Sequence, residues 1–330
     1  MTVAVTGASG HIGANLVRAV LKEGGAVRAV VHRETAGLDG LDVERVRADV
    51  RDAAALQRAF EGAEVVYHLA GIITFKSRRD EGAESVNVGG TRNVVAACQA
   101  CNVKRLVHFS SIHAFSAYPR DKVVDETRPR CGPGAAAYDR SKADAEDVVM
   151  AAVEDGLDAI VVNPTGVIGP CDFHGSAMGR VLLDLYRGRL PAMVQGGFNW
   201  VDARDVCVGA MAAAESGRTG QQYLLAGHYL TIGELAARVA ALSGEQKRPW
   251  TIPLALARAV VPLAALQGAL TGRPPRFTKV SLDALCNHQR VSHEKARREL
   301  GYAPRPIETT LKDTFDWFRK QGILEIHERH

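Results

Sequence analysis

Short apolar runs alternate with segments of helical periodicity along the first half of the chain. Thr91–Asn102 (TRNVVAACQACN), for example, lies between two such runs and has the pattern of an amphipathic helix. Because crossover helices connect parallel strands and cover both faces of their sheet, this alternation predicts an α/β fold with a doubly wound parallel sheet, a Rossmann fold. The predicted strands are Val3–Thr6, Ala26–Val31, Val43–Asp49, Glu64–Ala70, Arg105–Ser111 and Ala159–Asn163.

The pattern becomes irregular after Pro170, which indicates a second structural unit. Asp202–Glu215 reads as a helix and Gln221–Gly227 as a strand, so we expect the chain to return to the sheet there. The predicted organisation is a Rossmann core at residues 1–170 that is rejoined by 201–226, a smaller discontinuous substrate lobe at 171–200 and 227–310, and a C-terminal helix and tail at 311–330.

One apolar stretch, Leu254–Gly272, is long enough to raise the question of a membrane span. Arg258, Pro262 and Gln267 interrupt it, which favours a buried or pocket-covering pair of helices over a spanning helix. Contact with a membrane surface, which would help an apolar substrate to enter, stays open as the alternative.

Composition excludes several functional classes. The chain has 330 residues, a formal net charge of +4 and 46% apolar residues, which is ordinary for a globular protein and gives no argument for nucleic-acid binding. Its 6 cysteines do not make a disulfide scaffold. The first residues, MTVAVTGASG, enter a strand pattern without a basic or apolar leader, so we expect a protein of the reducing cytoplasm.

A glycine-rich turn follows the first predicted strand. The glycines of TGASGHIG are evenly spaced and stand directly before an amphipathic helix. Glycines at such positions allow a tight turn and let the backbone approach a pyrophosphate, which the free N–H groups of the helix N-terminus can bind. We therefore predict a dinucleotide site whose contacts include Gly7, Ser9, Gly10, His11, Ile12 and Gly13.

The ends of the next strands bear on the choice of dinucleotide. Sites of this kind use a carboxylate after the second strand for NAD and an arginine for the 2′-phosphate of NADP. His32 and Arg33 occupy this turn, so we expect NADP to be preferred over NAD, although Glu34 could still reach the ribose. Asp49 is placed to meet the adenine. The other predicted contacts at the strand ends are Val50, Leu69, Ala70 and Gly71.

Tyr138 and Lys142 share one face of a predicted helix in the stretch AAAYDRSKADAE. At a spacing of i, i+4, a lysine ammonium can lie beside the tyrosine hydroxyl, favour the phenolate and lower the tyrosine pKa. A tyrosine tuned in this way can act as an acid or base near neutral pH. The pair alone is a weak signal, because a surface helix with a half-buried tyrosine has the same spacing.

The motifs taken together resemble those of the extended short-chain dehydrogenase/reductase superfamily, within the NAD-dependent epimerase/dehydratase family. The matching pieces, in order, are TGASGHIG, ADVRD, HLAG, NVGGTRNV, HFSSIHAF, YDRSK and NPTGVIGP, which span Thr6 to Pro170. The resemblance implies a nicotinamide cofactor and a catalytic centre at Ser111, Tyr138 and Lys142. It also implies cofactor contacts at Tyr138, Lys142, Pro164, Gly166 and Val167.

The resemblance implies a role for each catalytic residue. Lys142 would hydrogen-bond the nicotinamide ribose and lower the pKa of Tyr138, which would donate a proton to the substrate carbonyl as hydride arrives from the cofactor. Ser111 would hold the carbonyl oxygen. Asn87, at the start of NVGGT, would support a proton relay or cap the following helix, and both alternatives stay open.

Departures from the family patterns help to choose the substrate class. Ile112 and His113 stand where sugar-nucleotide dehydratases carry an Asp-Glu pair. Sugar-nucleotide epimerases place an arginine shortly before a V-D-x-x-D segment, and the residues at that position here, GGFNW (196–200), include no arginine. A diphosphate substrate would need such cations. NPTGVIGP is more similar to the dihydroflavonol-reductase and hydroxysteroid-dehydrogenase branch, whose members act on apolar ketones and aldehydes. We therefore expect a small-molecule carbonyl or alcohol substrate of largely apolar character.

Two alternatives stay open on the same scaffold, a sugar-nucleotide epimerase and a non-catalytic dinucleotide sensor. The intact Ser-Tyr-Lys set argues against the sensor, which would have no need of it. We expect no metal, no nucleic-acid partner and no membrane span, and a homodimer is one option for the assembly. The predicted substrate contacts are Phe75, His113, Phe115, Phe173, Met178, Trp200 and Phe277.

Overall fold

A seven-stranded parallel sheet forms the centre of the molecule. The structure, a computed structural model, describes residues 1–33, 35–77, 79–244, 249–259, 261 and 278–324. Every neighbouring pair of strands in this sheet is parallel, which confirms the predicted doubly wound α/β fold. The strands are β1 (Thr2–Thr6), β2 (Ala26–Val31), β3 (Glu44–Arg47), β4 (Val65–His68), β5 (Arg105–Phe109), β6 (Ala159–Pro164) and β10 (Gln222–Leu225), in the order β10-β6-β5-β4-β1-β2-β3.

Helices cover both faces of this sheet, because the connections between parallel strands have to cross over it. The order of strands reverses between β1 and β4, so the crevice at their carboxyl ends is the expected place for a ligand. One face carries α1 (His11–Lys22) and α7 (Ala203–Ser216), and the other carries α2 (Ala53–Phe60), α4 (Gly90–Ala100) and α5 (Ala137–Glu154). A short helix, α3 (Glu81–Ala83), and a π-helical turn (Glu84–Gly89) lead into α4.

Each face of the sheet has its own apolar core, because successive side chains of a strand point to opposite faces. Phe109 and its neighbours face α1 and α7, in a cluster that also contains Ala296 and Tyr302 from far along the chain. Leu106 and Val161 face α4 and α5. We call these two sides the α1 face and the α5 face.

A third apolar core lies beside the sheet and is built mostly from the second half of the chain. Two small sheets contribute to it: β9 (Gly197–Asp202) pairs with β7 (Gly166–Ile168) and with β11 (His228–Thr231), and β8 (Ala192–Val194) pairs with β12 (Trp250–Ile252). The remaining helices are α6 (Ala177–Tyr186), α8 (Ile232–Ser243), α9 (Lys279–Ala284), α10 (Glu294–Leu300) and α11 (Ile307–Lys320).

Two of the predicted domain boundaries fall inside continuous elements. The boundary between 200 and 201 divides β9, whose Trp200 packs in the third core while Val201 packs in the core of the α1 face. The boundary between 310 and 311 divides α11, whose Ile307 and Phe315 both pack in the third core. The apolar pattern continues through both elements, so hydropathy gives no signal at either position, and the division into a core and a substrate lobe stays a prediction.

The apolar stretch Leu254–Gly272 is described only in part, since positions 260 and 262–272 lie outside the described residues. Leu254 and Ala257 pack against the third core, whereas Leu256 is exposed. Within the described ranges, no helix combines the length and the hydropathy that crossing a membrane requires.

Candidate active site

The turn between β1 and α1 has two positions that only glycine can fill. Gly7 has a φ of +68°, and a Cβ at Gly13 would lie 2.2 Å from the carbonyl oxygen of Gly7. The chain can therefore make a close turn whose backbone N–H groups face outward, and this cradle fits the pyrophosphate of a dinucleotide. Nε2 of His11 lies 3.1 Å from the carbonyl oxygens of both Gly169 and Pro170, so its ring ties α1 to the segment after β7, and its predicted contact with the cofactor stays a prediction.

The other predicted cofactor contacts lie along the same edge of the sheet. The N–H of Gly10 closes the turn by donating to the carbonyl oxygen of Gly7 at 3.0 Å. The N–H of Ala70 donates to Oγ1 of Thr6 at 3.2 Å, which fixes the chain as it leaves β4. The remaining predicted contacts lie in the glycine turn, in α1, or at and just after the ends of strands. They are Ser9, Ile12, Val50, Leu69, Gly71, Pro164, Gly166 and Val167.

Cations gather at the ends of β2 and β3. Arg51 holds the carboxylate of Asp49 with an Nη2–Oδ2 distance of 2.5 Å, and Nε2 of His32 lies 3.3 Å from the same oxygen. Hydrogen bonds from Arg51 lower the pKa of Asp49 to about 2, so this carboxylate is ionised and already paired. Arg33 is exposed and has no ion pair among the described residues. Glu34, which the sequence left as an alternative contact to the ribose, lies outside the described residues.

The three predicted catalytic residues come together above β5. Tyr138 lies in the first turn of α5 and makes a hydrogen bond with the side chain of Ser111, the second residue after β5. Lys142 lies one turn further along α5, is 7% exposed, and donates from Nζ to the carbonyl oxygen of Phe109 at 2.9 Å. The end of β4 adjoins this group, because a Cβ at Gly71 would lie 3.5 Å from Nζ of Lys142.

Burial sets the pKa values of the tyrosine and the lysine. It raises the pKa of Tyr138 to about 12, an effect that the hydrogen bond with Ser111 opposes, and it lowers the pKa of Lys142 to about 8, which the charge of Glu146 opposes. The predicted lowering of the Tyr138 pKa by Lys142 is wrong for this arrangement, because the ammonium is bonded to the Phe109 carbonyl instead. Tyr138 is therefore a protonated phenol at pH 7.

A buried carboxylate next to the predicted catalytic residues was not predicted. Glu146 lies one turn after Lys142, is fully buried, and accepts hydrogen bonds from Nδ2 of Asn163 at 2.6 Å and Nε2 of Gln222 at 3.0 Å. Nε of Arg130 lies 3.2 Å from it. Asn163 also donates to the carbonyl oxygen of Ser111 at 3.2 Å, so the network reaches Ser111. Burial raises the pKa of Glu146.

Two histidines on neighbouring strands continue this buried polar layer. The rings of His68 and His108 are 5.3 Å apart. His68 lies between two hydroxyls, 2.8 Å from Oγ1 of Thr6 and 3.1 Å from Oγ1 of Thr91, whereas neither ring nitrogen of His108 has a hydrogen-bond partner in the part of the chain that the structure describes. Burial lowers the pKa of His68 to about 3 and that of His108 well below its usual value, so both rings are neutral at pH 7.

Asn87 fixes the loop that follows β4. Its side chain accepts from the N–H of Ile72 at 2.8 Å and donates to the carbonyl oxygen of Ile72 at 3.0 Å and to Oγ of Ser141 at 2.9 Å. The residue lies inside the π-helical turn, and Asp80 is the residue that caps the start of the helix before it. The predicted role as a helix cap is therefore wrong, and the proton relay stays a prediction.

His113 borders Tyr138. Its ring stands edge-to-face against the ring of Tyr138 with the centroids 5.7 Å apart, and Nδ1 lies 3.1 Å from Oδ1 of Asp139. On its other side the ring of His288 is 5.7 Å away. Nε2 of His288 lies 3.1 Å from the carbonyl oxygen of Phe115, and burial lowers the pKa of His288 to about 4.

Two of the predicted substrate contacts are core residues instead. Trp200 is buried in the third core, where its indole N–H donates to the carbonyl oxygen of Leu230 at 3.2 Å. Phe115 is buried in a small cluster with Val124 and Leu224. Large aromatic side chains on alternating strands most often fill cores, and sequence alone could not show which face of β9 would be covered.

Two further substrate candidates have their observed contacts elsewhere, and a third cannot be placed. Met178 packs against the third core. Phe173 contacts the ring of Trp317 at 5.0 Å between centroids and lies under the guanidinium of Arg18 at 5.2 Å, near the dinucleotide end of the site. Phe277 lies outside the described residues.

Phe75 lines an open cleft of about 410 Å³ between the loop after β4 and the start of α9. The cleft adjoins the catalytic helix, because the N–H of Ala137 donates to the carbonyl oxygen of Lys76 at 3.2 Å. Three of its lining residues are cationic, and none of them belongs to the segment GGFNW in which the sequence lacked an arginine. The lining residues are Phe75, Lys76, Ser77, Arg79, Thr278, Lys279 and Val280.

Comparison with known proteins gives one matching family. The profile of the NAD dependent epimerase/dehydratase family matches residues 3–226. That range contains the glycine turn, the strands β1 to β6 and the Ser111, Tyr138 and Lys142 group.

Individual relatives match over almost the whole chain. This chain is 38% identical to Sterol demethylase protein B from Methylococcus capsulatus, across 98% of this chain and 100% of that protein. It is 30% identical to a 4-hydroxy-2-methyl-3-oxo-4-farnesyl-3,4-dihydroquinoline-1-oxide ketoreductase from Stigmatella aurantiaca, across 98% and 97% of the two chains. Its fold is similar to the crystal structure of a nucleoside-diphosphate-sugar epimerase from Pseudomonas aeruginosa, with a TM-score of 0.80, 27% identity and coverage of 98% and 99%.

Proposed function

The chain belongs to the NAD-dependent epimerase/dehydratase family, and from this premise we propose that it transfers a hydride between a nicotinamide cofactor and a carbonyl or alcohol carbon of an apolar, alicyclic substrate of the sterol class. The observation that carries the proposal is the contact between the hydroxyls of Ser111 and Tyr138, with Lys142 one helical turn away. This arrangement offers a proton and a second hydroxyl to one substrate oxygen.

Each of these residues has a task that follows from its surroundings. The nicotinamide, when bound, supplies or accepts the hydride. Tyr138 is protonated at pH 7, because its pKa is about 12, so it can donate a proton to the substrate oxygen during reduction. Ser111 orients that oxygen, and the Asn163 contact to its carbonyl holds the serine in place. Lys142, with a pKa of about 8, keeps a positive charge next to the tyrosine at neutral pH.

We propose NADP as the preferred cofactor. Arg33 supports this choice, because it is exposed at the end of β2 and has no ion pair among the described residues. The carboxylate of Asp49, which could favour NAD by binding a ribose, is already engaged by Arg51.

Cofactor titration of the wild type and of Arg33→Ala tests this choice. We expect the wild type to bind NADPH more tightly than NADH, and the variant to lose about tenfold in NADPH affinity with little change for NADH, because a charge-assisted contact to a phosphate is lost. Equal affinities in the wild type, or a variant that weakens both cofactors alike, would contradict the proposal.

Two observations support an apolar, alicyclic substrate. Phe75 and Val280 give the cleft beside Ala137 an apolar part that a fused-ring substrate could cover. Two relatives that match along nearly the whole chain are named Sterol demethylase protein B and a ketoreductase, and both are more similar in sequence than the sugar epimerase of known structure.

A substrate panel tests this proposal. Purified protein with NADPH is offered 3-ketosteroids, substituted cyclohexanones, aromatic aldehydes and UDP-glucose, and cofactor consumption is followed by absorbance. We expect turnover with the ketosteroids and cyclohexanones, with KM falling as apolar area increases, and none with Tyr138→Phe. Turnover of the aldehydes alone would be consistent with the proposed oxidoreductase activity but would contradict the proposed sterol class of substrate.

A sugar-nucleotide epimerase is the second candidate, because the cleft carries cations that could bind a diphosphate. Lys76 and Arg79 are paired with Asp80 and Glu84, respectively, whereas Lys279 has no ion pair among the described residues. Epimerisation of UDP-glucose with tightly held NAD, together with no turnover of any apolar carbonyl, would favour this candidate over the reductase.

A further inference from the structure

His113 and Asp139 form a pair beside the catalytic tyrosine, and hydride transfer as proposed above uses neither. Nδ1 of His113 is buried, makes no hydrogen bond among the described residues, and lies 3.1 Å from Oδ1 of Asp139, which is the distance of an ion pair. Nε2 makes no hydrogen bond with any residue in the described ranges. The pair therefore leaves one ring nitrogen available at the edge of Tyr138.

Three titratable groups face this imidazole. Tyr138, at 5.7 Å between ring centroids, is neutral at pH 7 because its pKa is about 12. His288, also at 5.7 Å, is neutral because burial lowers its pKa to about 4, and Arg128 acts on His288 from further away. Asp139 is the carboxylate in ion-pair contact with His113.

A carboxylate next to one imidazole nitrogen orients the ring and leaves the other nitrogen to exchange protons with a ligand. The substrate oxygen is already served by Ser111 and Tyr138. The next substrate atom whose proton can be moved at moderate cost is the carbon adjacent to the carbonyl, because the carbonyl stabilises the carbanion that forms there as an enolate.

We propose that His113 is a second acid–base residue, which moves a proton at the carbon adjacent to the substrate carbonyl, so that the substrate is an enolisable ketone or an alcohol that yields one. This inference rests on the proposed oxidoreductase function. The C–H bond breaks, its proton passes to Nε2 of His113, and its electron pair forms the C=C bond of an enolate. The enolate oxygen accepts hydrogen bonds from Ser111 and Tyr138. Return of the proton to carbon restores the ketone, and no oxidant or reductant is consumed.

Exchange with solvent deuterium measures this step separately from hydride transfer. An alicyclic ketone that the wild type reduces is incubated in D₂O with the protein and NADP⁺, which has no hydride to give, and deuterium at the adjacent carbon is followed by NMR. Hydride transfer is measured with NADPH and an aromatic aldehyde, which has no hydrogen on the adjacent carbon. The variants are His113→Gln, Asp139→Asn and, as a matched control, His228→Gln on the exposed strand β11.

We expect the wild type and His228→Gln to exchange at similar rates and His113→Gln to lose exchange by at least about 100-fold, the ordinary worth of a positioned acid or base. Hydride transfer to the aldehyde should fall by less than about tenfold in the same variant. Asp139→Asn should slow exchange by about tenfold and move its pH profile, because the imidazole loses the carboxylate that orients it.

Three results would overturn the proposal while leaving the oxidoreductase intact. The first is deuterium exchange that survives in His113→Gln. The second is an equal loss of exchange and of hydride transfer in that variant, which would indicate a purely structural histidine. The third is a wild type that transfers hydride without any exchange. A wild type that transfers no hydride to any ketone or aldehyde would instead remove the proposed function, and this inference with it.

Discussion

The two faces of the central sheet differ at the carboxyl ends of its middle strands. On the α1 face, Tyr67, Phe109 and Val162 continue the apolar core to the ends of their strands. On the α5 face, these three strands and β1 carry polar side chains at or just after their ends that are almost completely buried. These are Thr6, His68, His108, Ser110 and Asn163.

The difference shows which half of the sheet supports the fold and which supports the chemistry. Burying polar groups costs free energy unless each is hydrogen-bonded, so a folding requirement alone would have favoured apolar residues on both faces. The polar layer lies directly under α5, which carries Tyr138, Lys142 and Glu146. We infer that the α1 face is built for stability and that the polar end of the α5 face is built to hold charged and proton-transferring groups.

Removing the phenol hydroxyl of Tyr138 on the α5 face should have the largest effect on kcat. Tyr138→Phe should lower kcat by about 100- to 10,000-fold with little change in cofactor affinity, because only the transferable proton is lost. The matched change on the other face, Val162→Ala, should keep kcat within about twofold while lowering the free energy of unfolding by roughly 2 kcal/mol. Steady-state kinetics and urea unfolding measure both. A Tyr138→Phe variant that keeps a tenth of the wild-type kcat would show that this face holds a different acid.

Breaking the buried network should damage stability and catalysis together. Glu146→Ala leaves donors of Asn163, Gln222 and Arg130 without their acceptor, which should cost roughly 3 kcal/mol in urea unfolding. Because Asn163 also holds the Ser111 carbonyl, kcat should fall more than KM rises. Glu146→Gln keeps the shape and one acceptor oxygen, so it should lose less than half as much stability. Equal losses in the two variants would mean that packing rather than hydrogen bonding matters here.

Replacing the buried ammonium should make the protein more stable and inactive. The folded-state pKa of Lys142, about 8, lies below its ordinary value of 10.5, so the charged form is disfavoured in the fold and stability is lost as pH falls from about 10.5 to about 8. At pH 7 this loss is at most about 3 kcal/mol, and the hydrogen bond to Phe109 offsets about 1 kcal/mol of it. The free energy of unfolding of Lys142→Met should therefore exceed that of the wild type by about 2 kcal/mol at pH 7.

The same comparison at alkaline pH provides the control. Above the unfolded-state pKa of 10.5 the lysine is neutral in both states, so the advantage of the methionine should disappear there. A difference in unfolding free energy that is constant with pH would show that the lysine is not disfavoured by burial.

The fold and the family were predictable because their signals are local. Apolar runs that alternate with helical patterns indicated the strands β1 to β6 and their parallel order, and the motifs from TGASGHIG to NPTGVIGP indicated the family that the profile match confirms. Ser111, Tyr138 and Lys142 were chosen from motif positions, and the structure places them in contact or one turn apart. Their catalytic roles remain predictions.

The parts that could not be predicted depend on contacts between distant segments. Glu146 had one sequence signal, its i, i+4 spacing from Lys142, but its partner Arg130 comes from a separate loop. Trp200 and Phe115 were mistaken for substrate contacts because sequence cannot show which element covers an aromatic side chain. The direction of the Tyr138 pKa depends on where the lysine ammonium points, which only the packing of α5 on β5 decides.

Tyr302 has a consequence for how this protein is made in the cell. Its ring belongs to the same cluster as Phe109, and its hydroxyl donates to the carbonyl oxygen of Ala226 at 3.1 Å. A ribosome that adds about 5 to 20 residues per second needs roughly 10 to 40 seconds to travel from Phe109 to Tyr302. Throughout that interval the nascent chain presents part of an apolar surface whose final cover has not yet been synthesised. Chaperones that bind exposed apolar segments therefore have their longest opportunity on the α1 face, and this protein should depend on them most when translation is slow.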